Sequence, residues 1–172
     1  MFTTTLDTTV GGKNSNSYVT LEEAEAYLQY RSDASSFLEM SDESKSYYLI
    51  YATLINDTLL YPTGTPTNKD QALLFPRKNL RDAHGKEYSD NAIPPYIKYA
   101  QIEQALYLTS NNIKTPSMLQ QGFSEARLDV MSIKLDKSFI PSKLDSTAID
   151  FLSLFGVVDN SIGMNVVNII RY

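Results

Sequence analysis

No cysteine occurs among the 172 residues, which excludes disulfides, thiolate catalysis and thiolate metal sites together. A chain that folds in a reducing cytoplasm fits that composition. There is one histidine, His84, so a histidine-rich metal site is excluded and any Ser–His or His–Asp pairing would need this residue. Tryptophan is absent. No apolar run approaches the roughly 18 residues of a membrane span, and the N-terminus has no basic region followed by an apolar one, so a soluble protein without an export signal is expected. Positive charge is also scarce: 15 Lys and Arg face 20 Asp and Glu, a net charge of −5. Non-specific nucleic-acid affinity draws mostly on cations that neutralise phosphates, so general DNA binding is disfavoured. The densest basic cluster, Arg77, Lys78 and Arg81, is interrupted at once by Asp82.

What the chain does have is length for a core and a bias towards tyrosine. A domain of this size can bury about 70% of its unfolded surface. Twelve tyrosines against seven phenylalanines offer large apolar bodies with polar tips, suited to subunit contacts or to half-exposed helix positions. The pattern predicts a mainly α protein: a small helical bundle with a short β element and a C-terminal extension. Residues 1–17 are rich in Thr, Ser, Asn and Gly and read as a flexible lead. A helical core domain is expected over 18–112, then a strand, a short helix and a docking tail over 113–172.

Within the core, Thr20 and Glu23 form a T-x-x-E capping box for a first helix that ends near Arg31, with Val19 as a staple. Ser41 caps a longer helix, and Asp42 and Glu43 suit the positive end of its dipole. From Tyr47 to Leu60 it is apolar on nearly every side, as a central or interface helix is. Pro62 stops it, and a short helical turn is expected at 71–74 before Pro76. Pro94 or Pro95 opens a third helix running to about Ser110. Residues 126–135 alternate as a strand does, with a slip in phase between Val130 and Met131. Asp145 or Ser146 caps a last helix through Phe155, closed by Gly156.

No catalytic constellation emerges, and neither an enzyme nor a cofactor is expected. His84 lies in an Asp-Ala-His-Gly turn between charged neighbours, where an exposed turn residue is the plain reading. Glu22/Glu23 and Asp42/Glu43 sit in first helical turns, where cap and dipole account for them. Gly11-Gly12 is no phosphate loop, because no strand precedes it and no Gly-Lys-Ser/Thr follows. The remaining candidates are surfaces. Val166, Val167, Ile169, Ile170, Arg171 and Tyr172 form a β-prone apolar tail that either adds a strand to its own sheet by pairing with 126–135, or lends one to a neighbour. Arg77 after Phe75-Pro76 is either a solvated loop arginine or a fixed charge on a rigid elbow.

Several of these pieces, in this order, resemble one family. Asn16-Ser17-Tyr18 followed by a Glu/Ala-rich helix, Ala72-Leu73-Leu74-Phe75-Pro76-Arg77 (with Phe where Trp is usual), the Asp82–Gly85 turn and the Ile93-Pro94 helix are similar to head–tail connector (adaptor) proteins of tailed bacteriophages. Some of those carry the label of DnaT-like single-stranded-DNA-binding proteins. The resemblance implies a structural virion protein in the neck, assembled in the host cytoplasm. It would form a ring of about twelve copies, a heterologous contact that rotation closes. The implied partners are the portal protein, tail or other neck proteins and further copies of the chain, with no membrane. The tail, Phe75 and Arg77 would be the portal or subunit contacts. An acidic conduit wall would let genomic DNA pass without specific binding. The alternative is a single-stranded-DNA-binding module, which needs aromatic platforms beside a basic groove.

Overall fold

The computed structural model describes residues 5–110 and 144–159. Its helices are α1 (Leu21–Leu28), α2 (Ser35–Leu38), α3 (Asp42–Leu59), α4 (Pro95–Ser110) and α5 (Ser146–Ser153), and the fold is mainly α as the sequence predicts. Four short strands accompany them among the described residues: β1 (Leu60–Pro62), β2 (Thr65–Pro66), β3 (Arg77–Lys78) and β4 (Gly156–Val158). They form two antiparallel ribbons, β1 with β4 and β2 with β3.

The helix starts follow local chemistry. Thr20 accepts from the Glu23 amide, and the Glu23 carboxylate takes the Thr20 amide, so the reciprocal capping box is in place. Ser41 and Asp145 cap α3 and α5 by accepting from Ser44 and Ala148. Proline opens α4, whose first amides need no intrahelical acceptor. Helix α3 is central, as its all-round apolar surface predicts: Leu49, Ala52 and Ile55 are fully buried, with Ile102, Ala105 and Leu108 of α4 in the same cluster. A second cluster joins Tyr18, Phe75, Leu80 and Ile97 to Leu152 and Phe155. Through it α5 packs into the same body as α4, although it follows residue 113.

Four local expectations change. The flexible lead is tied down over residues 5–17, because its polar side chains bond to its own backbone. The Asp7 amide donates to Asn16 Oδ1 at 2.8 Å, the Asn16 amide donates to the Asp7 carbonyl, and Ser15 and Ser17 are buried. Helix α1 stops at Leu28, and a 3₁₀ turn at Ser32–Ala34 leads into α2, which buries Phe37. Residues 71–74 form bends instead of a helical turn, since the Asp57 carboxylate takes the Leu74 amide and the Gln71 side chain donates to the carbonyls of Leu73 and Pro76. Gly156 does not close α5 but opens β4. A Cβ there would run into the Tyr61 carbonyl, so the residue is small to let two backbones meet. The strand expected at 126–135 and the tail at 166–172 lie outside the described residues.

Candidate interaction face

Helices α1 and α4 meet along a seam of three rungs. Positions 23, 27 and 31 of the first segment, spaced four apart, fall on one side. Glu23 takes Lys98 Nζ at 2.6 Å. Tyr27 stacks on Tyr99 with centroids 4.9 Å apart and planes 24° apart. Arg31, just past the helix, pairs with Glu103 and with Asp33, the latter at 2.7 Å. The Tyr27 hydroxyl also donates to Glu103 at 2.7 Å, joining the second rung to the third.

The electrostatics follow from this crowding. Burial, then the hydrogen bond to Glu103, pushes the Tyr27 hydroxyl up to about 12. The bond to Asp33, with the nearby Glu103 charge, raises the Arg31 guanidinium further above its already high value. The aromatic row continues beyond the seam. Tyr96 meets Tyr99 edge-on at 6.0 Å and Phe151 of α5 at 5.4 Å. Tyr96 is the most open member, at 40% exposure.

A second cluster lies under the Phe75-Pro76-Arg77 segment, where the Phe75–Pro76 peptide is cis. The Tyr18 hydroxyl lies 2.8 Å from both oxygens of Asp57, and the Leu74 amide donates to the same carboxylate at 3.0 Å. Burial pushes the Asp57 carboxyl up to about 6 against the opposing pull of these donors and of Arg77. Burial also raises the Tyr18 hydroxyl well above its ordinary value, helped by Asp57. The Arg77 guanidinium donates to the carbonyls of Thr63 at 2.7 Å, Gly64 at 2.8 Å and Leu74 at 3.1 Å. Burial in that carbonyl nest lowers its pKa.

These contacts place the residues singled out from sequence. Phe75 and Arg77 are both buried, at 1% and 7% exposure, and the contacts described above are internal to the fold. Arg77 is therefore neither a solvated loop cation nor a charge held out for a partner; it fastens the segment that carries it. Val166, Val167, Ile169, Ile170, Arg171 and Tyr172 lie outside the described residues. His84 is exposed, in a turn where Asp82 Oδ1 accepts from the amides of His84 and Lys86 and Gly85 has φ +82°. Among the described residues no group of His, Asp and Glu is arranged to hold a metal ion, and no helix is long and apolar enough to cross a membrane. The seam itself escaped sequence reasoning, although the spacing of Glu23, Tyr27 and Arg31 was there to find; its partners on α4 are more than 70 residues away.

A family model described as "Putative DnaT-like ssDNA binding protein" matches residues 2–169. No curated protein and no solved structure matches the chain.

Proposed function

This chain belongs to the DnaT-like single-stranded-DNA-binding family, a description that favours a nucleic-acid role; weighing it against the geometry, we propose instead that the folded body docks on protein, as a subunit of a head–tail connector ring. The observation that carries this reading is the engaged state of the aromatic face. A sequence-tolerant single-strand site presents open ring faces beside free cations. Here Tyr27 and Tyr99 cover one another, and the two cations of the seam, Arg31 and Lys98, already face carboxylates. Phosphates approaching this face would meet the exposed carboxylates of Glu23 and Asp33 as well. The order of motifs that resembles the connector proteins supplies the rest, and an acidic body suits a conduit that must not hold its DNA.

The second reading, single-stranded-DNA binding, is favoured by the family description and by Tyr96, whose ring is partly open beside Phe151. One pair of experiments separates the two. Light scattering on the protein, alone and with a portal protein of a tailed bacteriophage, is expected to give a ring or a complex. Anisotropy of a labelled oligothymidine at about 150 mM salt, where phosphate-driven affinity is already weakened, is expected to stay flat. A monomer indifferent to portal that binds the oligonucleotide, and loses it on Tyr96→Ala, would overturn the connector reading.

A further inference from the structure

The ribbon of β1 and β4 is unfinished. Its register sets Leu60 against Val158, Tyr61 against Val157 and Pro62 against Gly156. Leu60 and Val158 face the core, which leaves Tyr61 and Val157 directly opposite one another on the outer face, 63% and 71% exposed. Two large apolar side chains paired outward are unusual for a ribbon meant to face water, and two strands alone make a marginal sheet. The backbone shows which edge is open. The Thr63 amide donates to Phe155 and the Asp159 amide to Leu59, so Tyr61 and Val157 turn their backbone groups towards each other. Gly156 and Val158 therefore turn theirs to the opposite edge of β4. Among the described residues no other backbone group bonds to either on that side. The far edge of β1 is blunted by Pro62, which has no amide hydrogen to offer.

We propose that residues 160–172 of the same chain dock along the open edge of β4, adding a third strand whose apolar side chains flank Val157. The occupant follows from where the chain leaves the ribbon. Asp159 is fixed by its bond to Leu59, so residue 160 starts at the end of the edge that needs covering. Asn160, Ser161 and Gly163 are residue types that reverse a chain, and Val166, Val167, Ile169 and Ile170 then supply β-branched apolar bulk. A partner this close in sequence closes a short loop, at a smaller entropic cost than a strand from elsewhere in the chain. The inference concerns the free chain and stands whichever functional reading holds.

Hydrogen exchange at the amides of Gly156 and Val158 tests it directly, in the full chain, in a chain ending at Asp159, and in a full-length Ile169→Asp/Ile170→Asp variant. The amide of Ile102, deep in α4, serves as the reference for global folding. Docking requires both ribbon amides to be protected in the full chain and to exchange at least about tenfold faster in both variants while Ile102 stays slow. Should the shortened chain unfold and Ile102 lose protection with it, the full-length substituted protein decides alone. Equal exchange of Gly156 and Val158 in full chain and variant overturns the proposal. Protection that rises with protein concentration, together with a mass above the monomer, assigns the edge to a second copy and overturns docking within one chain.

Discussion

Asp57 is half-buried and Arg77 is buried, and the surroundings of each shift its hold on a proton. A carboxyl raised in the folded state binds its proton more tightly there than in the unfolded chain. Its contribution to stability is therefore fullest at acid pH and is lost as pH rises from the usual carboxylate range through about 6. The size of the rise corresponds to at most about 3 kcal/mol. Asp7, Glu22, Glu23, Asp33 and Asp82 are shifted the other way and lose stability as pH falls, so the whole-protein curve hides the effect. The difference between wild type and Asp57→Asn isolates it. In urea melts the variant should gain on wild type between pH 4 and pH 7, and a flat difference would show that the carboxylate's donors fully offset its burial. Arg77 acts through shape, with a planar fork reaching three carbonyls at once. Arg77→Lys keeps the charge and loses the fork, and is expected to cost about 2 kcal/mol in the same melts.

At the level of elements, the seam between α1 and α4 holds rungs of unequal worth. Glu103 is 5% exposed, and without Arg31 its carboxylate would lose its cation and keep the Tyr27 hydroxyl. Glu23 and Lys98 are both partly in water. Removing one partner of a buried pair strands a charge, whereas removing one from an exposed pair changes little. Arg31→Ala is expected to destabilise by about 2 kcal/mol or more, and Lys98→Ala by about 0.5 kcal/mol. Equal losses in urea midpoints would show that the third rung is as solvated as the first. The elements themselves were largely legible in the sequence, because their starts depend on neighbours three residues away. Thr20 with Glu23, Ser41 with Ser44 and Asp145 with Ala148 can each be read within one turn. What escaped depends on distant partners. Residues 71–74 look helical until Asp57 takes the Leu74 amide, and Gly156 looks like a helix stop until Tyr61 is placed beside it. Arg77 suggested a contact residue because nothing nearby in sequence shows that the carbonyls of Thr63 and Gly64 turn towards it.

For the whole molecule, the decisive quantity is the net charge of −5. Self-repulsion of that excess opposes the compact state, while the ion pairs of the seam favour it, and salt acts on the two in opposite directions. The Debye length shortens from about 30 Å at 0.01 M to about 8 Å at 0.15 M, so added salt screens distant repulsion first. Contacts such as Glu23–Lys98 at 2.6 Å and Lys45–Glu25 at 2.6 Å lie well inside either length, and Lys45 is only 7% exposed at its side chain. Long-range repulsion should therefore yield before short-range attraction does. Thermal unfolding followed by circular dichroism from 10 to 200 mM sodium chloride is expected to show the midpoint rising by a few degrees. A midpoint that falls instead would mean that the paired charges dominate the field of the fold. The excess carboxylates would then be too widely spread to act as the repelling wall that the connector reading asks of them.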